Sequence, residues 1–219
     1  MLFDLRGRGR RRTVQGVYLG LALLIGGGLV LFGVGTGSGG GGLLNGIGGS
    51  GNGNQSQVVS AQEKSALKAV KRNPKSPAAW SQLVQARWTA ATSSDFNQTT
   101  GTFTAAGKNE LVRLTQAWKH YLTLTKRPDS NTAILAARAY SRLGNYSGQA
   151  EAWQAITLND PTNGTAFQCL AVSAYAGKQN RLGDLAMAKA MSLAPKAQRT
   201  TLKTQITAAK TQPTVAQQC

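Results

Sequence analysis

Residues 137–161, ARAYSRLGNYSGQAEAWQAITLNDP, decide the fold. Small and aromatic residues run at helical spacing to Tyr140, Gly144 supplies a turn, and a second helical run carries Tyr146 and Trp153 to a stop at Pro161. Proline has no amide proton to give to a helix and clashes with the preceding turn, so it closes the pattern. Pro128 and Pro195 close patterns in the same way, and the three prolines lie 33 and 34 residues apart. A period of that length marks a helix–turn–helix unit repeated along the chain.

The offsets of Tyr140, Gly144, Tyr146, Trp153 and Pro161 resemble the tetratricopeptide (TPR) family, which places a large residue, a turn glycine, an aromatic, a packing aromatic and a terminating proline there. In the next unit Phe167, Leu170, Ala171, Ala190 and Pro195 match the packing positions, and LAMAKAMSLAP (185–195) reads as a second helix. That unit departs at its turn, where Lys178 and Asn180 replace the glycine and the aromatic. An earlier unit is assembled from Trp80, Leu83 and Val84 through Ala117, Tyr121 and Pro128, with an insertion at 93–108 between its helices. Upstream, EKSALKAVKRNP (63–74) reads as the second helix of an incomplete unit, and 195–211 as a capping helix with Leu202, Ile206 and Ala209 on one face.

The resemblance implies an all-α fold, a short TPR-like helical-hairpin solenoid over residues 59–211, because one helix pair cannot bury its apolar face alone. It makes Tyr121, Tyr140, Trp153 and Phe167 core residues. Carrying the family's groove offsets onto this chain places Gln85, Trp88, Arg138, Arg142, Gln168 and Tyr175 along a concave face that receives a peptide. The two arginines there point to an acidic peptide or a C-terminal carboxylate. Trp80 and Trp88 are eight residues apart on one helical face, and Arg87 occupies an offset that usually carries a buried aromatic. The insertion, with Phe96 and Phe103, is too long for an ordinary turn and is either a lid over the groove or unstructured.

The N-terminal quarter has a different composition. Five arginines (Arg6, Arg8, Arg10, Arg11, Arg12) precede a stretch without any charged residue from Thr13 to Gln62. Within it, residues 14–34 (VQGVYLGLALLIGGGLVLFGV) would make a helix of about 31 Å, against a hydrocarbon core of about 30 Å. The expectation is one transmembrane helix, a basic cytoplasmic segment at 1–13 and the remainder outside the cytoplasm, since Lys and Arg favour the cytoplasmic side. The apolar run is longer than that of a cleaved signal peptide. The arginines would also meet lipid headgroups, and Gly16 with Gly20 forms one small-xxx-small pair. Residues 35–58 are glycine-rich and read as a flexible linker, with 212–219 as a C-terminal tail.

Net charge is +17; residues 1–59 contribute five Arg and one Asp, a net +4, which leaves +13 on residues 60–219. Such an excess raises a second reading, a basic domain held against anionic lipid or a cell-wall polymer. A nucleic-acid adaptor would require the domain in the cytoplasm, against the arginine asymmetry.

No catalytic constellation or cofactor motif stands out, so no cofactor and no enzyme activity are expected. His120 and Cys169 are the only pair resembling a nucleophile and base, and no third group orients them. Asp129, Asp160 and Asp184 suit caps or turns. Cys169 and Cys219 are either one disulfide or two free thiols, and outside the cytoplasm they could pair. Asn-x-Ser/Thr triplets begin at Asn54, Asn97, Asn145 and Asn163. The expectation is therefore a membrane-tethered scaffold or adaptor that binds a protein or peptide outside the cytoplasm, in secretion or envelope assembly.

Overall fold

The computed structural model describes residues 52–93 and 95–219, with side chains from Ala61 onward. The arginine cluster, the apolar stretch at 14–34, the Gly16/Gly20 pair and the linker up to Gly51 lie outside the described residues. Among those described, no helix is long and apolar enough to cross a membrane.

Eight α-helices are described: α1 Asn52–Arg72, α2 Pro77–Ser93, α3 Ala105–Leu124, α4 Ser130–Arg142, α5 Tyr146–Asn159, α6 Gly164–Ala176, α7 Asn180–Leu193 and α8 Arg199–Ala208. Short 3-10 turns flank α8, at Lys196–Gln198 and Pro213–Gln218. The chain divides at Val58/Val59, and Val59–Cys219 forms one compact unit. α1 starts at Asn52, within the stretch read as linker.

α2 packs on α3, α4 on α5 and α6 on α7, and α5 packs on α6 as extensively as the partners within a pair. Three residues join α4 to α5 and three join α6 to α7, a length that returns the chain antiparallel. The three closing prolines stand just beyond α3, α5 and α7. Capping residues fix the helix starts: Asp129 accepts from the Thr132 amide at 2.8 Å, Asn145 from Gly148 at 2.9 Å and Asn163 from Ala166 at 2.9 Å. Asp160 instead closes the turn before α6, accepting from the Thr162 hydroxyl and amide, and those bonds hold its carboxyl below the usual range. Asn159 also donates to the Pro128 carbonyl, tying the end of the second pair to the end of the first.

Alanines such as Ala133, Ala136, Ala150, Ala171 and Ala174 are fully buried where helices meet, so backbones approach closely, and Trp118, Tyr140 and Tyr175 fill the remaining space. Tyr121 and Trp153 are also buried, while Phe167 is half-buried with the Lys189 ammonium 5.9 Å from its ring centre. Arg87 sits where an aromatic was expected: its guanidinium faces Glu63 of α1 at 3.6 Å and donates to the Arg113 carbonyl. Burial lowers its pKa, opposed by the Glu63 charge. One ion pair thus fastens α1 to the first helix pair.

The insertion is structured, as a short hairpin. Phe96–Asn97 pairs antiparallel with Thr102–Phe103, and the two phenylalanine rings stand 4.8 Å apart. Asn97 accepts from the amides of Thr99 and Thr100, and Gly101 (φ 66°) takes the left-handed position that closes the loop. The hairpin packs on α2 and α3. α3 then begins at Ala105, inside the stretch read as insertion, capped by the Thr104 hydroxyl, which accepts from Gly107 at 3.1 Å.

Candidate functional site

The six residues expected to line one groove are divided among different places. Gln85 lines a shallow concavity of 290 Å³ between α1 and α2, with Gln62 and Gln82. Gln168 lines a 520 Å³ cavity bounded by α6, α7 and α8. Tyr175 is buried: its hydroxyl donates to Asp184 at 2.6 Å and the Lys210 ammonium lies 4.3 Å from its ring centre. Burial and then the Asp184 carboxylate raise its pKa. Asp184 is therefore no cap; it joins Tyr175 to Lys210, whose ammonium is 3.8 Å away.

Trp88, Arg138 and Arg142 do come together. They line a cavity of 310 Å³ with Ser141, Gln217, Gln218 and Cys219. α2 supplies the indole. α4 supplies both exposed arginines, which are one helical turn apart and so share a face. Ser141, from the same helix, is 2% exposed, and its hydroxyl has no hydrogen-bond partner. A buried hydroxyl left without a partner costs about 1–3 kcal/mol unless something completes it. The lining contains two cations and four neutral groups able to donate hydrogen bonds or stack, Trp88, Ser141, Gln217 and Gln218.

The third wall comes from the C-terminal segment. Pro213–Gln218 folds into a 3-10 turn that packs on α6 and α4, and Cys219 is disulfide-bonded to Cys169 with Cα atoms 5.5 Å apart. The Gln149 amide, fully buried, donates to the Ala216 carbonyl at 2.8 Å. The signal available in the sequence was the cysteine pair itself, since a bridge from Cys169 to Cys219 has to draw the tail back onto α6.

The candidate dyad is not assembled. Cys169 is consumed in the disulfide, and His120 is on the exposed side of α3, with its ring 4.0 Å from that of Trp80. Trp80 itself is fixed at the start of α2, its indole N–H donating to the Pro74 carbonyl at 2.8 Å, and lines no groove with Trp88. Among the described residues no group of His, Cys, Asp and Glu could hold a metal ion.

Comparison with protein-family models, with curated proteins and with solved structures finds no match to this chain.

Proposed function

We propose that this chain is a membrane-tethered adaptor whose TPR-like helical repeats bind an acidic segment of a partner protein outside the cytoplasm. The observation that carries the reading is the convergence of Trp88, Arg138 and Arg142 on one cavity, together with the unpartnered Ser141 hydroxyl. An aromatic plate beside two guanidinium groups suits a carboxylate side chain, which accepts two parallel N–H bonds from arginine while its methylenes lie on the indole. The tether and the location rest on the sequence alone, on the arginine cluster ahead of an uncharged apolar stretch.

Reversing both charges, Arg138→Glu with Arg142→Glu, should abolish partner capture while leaving the helical circular dichroism unchanged. Unchanged capture would reject the site. For the location, protease added to intact spheroplasts should remove an epitope placed after Cys219; an epitope protected until the membrane is broken would put the domain in the cytoplasm.

A second reading has its own support in the +13 balance of residues 60–219, which would hold the domain against an anionic lipid surface or cell-wall polymer. It differs in being spread over the surface. Binding would then fall steeply with salt and survive the two arginine reversals in part.

A further inference from the structure

The segment after α8 is fixed at three points, and two of its side chains stay exposed. Ala216 is fully buried, with its carbonyl accepting from Gln149. Cys219 is bonded to Cys169 in the middle of α6. Gln217 reaches the Tyr146 hydroxyl at 3.4 Å, close to the limit for a hydrogen bond. Gln217 and Gln218 nevertheless remain exposed, and both line the same cavity as Arg138 and Arg142. Glutamine amides present N–H donors, so this wall adds neutral donors to the two cations on α4.

We propose that residues 213–219 are a wall of the binding site, set in place by the Cys169–Cys219 disulfide, so that the acidic-segment site exists in the oxidised protein and is dismantled on reduction. The inference rests on the acidic-peptide reading above. A carboxylate side chain of the partner lies between the guanidinium groups of Arg138 and Arg142 and the amides of Gln217 and Gln218, within reach of the Ser141 hydroxyl. The charge pattern supports that occupant, since the lining carries two cations. Without the bridge, the burial of Ala216 and two hydrogen bonds, from Gln149 to the Ala216 carbonyl and from Gln217 to the Tyr146 hydroxyl, are left to hold the segment. One such bond contributes about 0.5–1.5 kcal/mol, of the same order as the conformational freedom that fixing a single residue removes.

Opening the bridge is ordinary thiol–disulfide exchange. A dithiol reductant attacks one sulfur and then closes to its own cyclic disulfide, and Cys169 and Cys219 each leave as a thiol bearing one proton. Two electrons pass from the dithiol to the bridge.

The test uses the full chain in detergent, oxidised or treated with dithiothreitol, and a fluorescein-labelled tetraglutamate peptide, with tetraglutamine as the neutral control. The expected result is binding of tetraglutamate by the oxidised protein that weakens about tenfold on reduction. It should weaken likewise in Cys219→Ser and in Gln217→Ala with Gln218→Ala, where the bridge remains. Circular dichroism reports whether the helices persist in each case. Equal binding before and after reduction, still sensitive to Arg138→Glu with Arg142→Glu, overturns the wall while leaving the acidic-peptide reading in place. Stronger binding after reduction also overturns it and makes the segment a plug. Binding indifferent to the two arginine reversals, or no preference for tetraglutamate over tetraglutamine, rejects the acidic-peptide reading and the wall with it.

Discussion

In the second helix pair the ring of Tyr140 lies over Gly148, and in the third the ring of Tyr175 lies over Gly183; a Cβ added at these glycines would stand 2.6 and 2.5 Å from ring carbons. Each tyrosine precedes its glycine by eight residues, so the two pairs share one closing contact across their turns. Around that contact they differ. The Tyr140 hydroxyl has no hydrogen-bond partner, whereas that of Tyr175 donates to Asp184 beneath Lys210. The turn of the second pair uses Gly144 at φ 69°, while that of the third forces Lys178 to φ 59°. The second pair has another packed on either side. The third is followed instead by α8 and the disulfide-held segment, which supply the closing face. The contact that both pairs keep defines the unit, and the features found in one alone are additions at the end of the stack.

The largest effect should come from the addition. Cys219→Ser opens a loop of 50 residues' separation, and the chain-entropy relation for a loop of that size gives a loss of about 4 kcal/mol. Urea unfolding of the wild type and the variant reads it directly. A loss below about 1 kcal/mol would mean that the third pair closes without the bridge.

Next in size, Gly148→Ala and Gly183→Ala should each destabilise by about 1–3 kcal/mol, although alanine is ordinarily about 1 kcal/mol better than glycine inside a helix. The new methyl meets a tyrosine ring that has nowhere to move. Pairing each with the matching Tyr→Leu should recover part of the loss, and a cost confined to one pair would break the equivalence drawn between them.

Alkaline pH separates the two tyrosines. Burial, with the Glu151 charge, pushes Tyr140 up to about 12 from an ordinary value of 10.0. The unfolded chain therefore releases its proton first as pH rises. Stability from the neutral phenol is complete below about pH 10 and is lost between there and pH 12, on the order of 1–2 kcal/mol. Tyr175 is raised by burial and Asp184 together, so tyrosinate absorbance should show Tyr140 ionising ahead of it. The reverse order would contradict the assigned surroundings.

The smallest effect lies in the turns. Lys178→Gly should stabilise by about 0.5–1 kcal/mol, and Gly144→Ala should destabilise by about 1 kcal/mol, since a left-handed backbone disfavours any side chain. Thermal melting of the two variants checks both signs.

The helical architecture was legible because proline acts locally: Pro128, Pro161 and Pro195 each stand just past a helix end, wherever the rest of the chain goes. The core character of Tyr121, Tyr140 and Trp153 was legible for a similar reason, since helical spacing fixes which face a residue shares. The turn at Lys178 was not, because tertiary packing there overrides the preference for glycine that a sequence displays. Nor was the hairpin at 96–103, where two short strands pair through Phe96 and Phe103 without an alternating pattern long enough to read. For the site, Trp88, Arg138 and Arg142 were reachable through helix offsets. Tyr175 was misplaced because the same offsets cannot show that Asp184 and Lys210 enclose its hydroxyl and ring. The contribution of Gln217 and Gln218 depends on a bridge closing over 50 residues, which no local pattern reveals.

The central claim is that partners dock on the face of Trp88 and the two arginines, not on the outer surface, where Leu158 and Leu185 are 74% and 65% exposed. The most direct test places a photo-reactive residue at Trp88 or at Leu158 in intact cells and compares what each captures. The account predicts one partner captured from position 88, lost on Arg138→Glu with Arg142→Glu, and rich in Asp or Glu at the crosslinked peptide. Capture from position 158 alone, or capture at 88 that ignores the arginines, would contradict it.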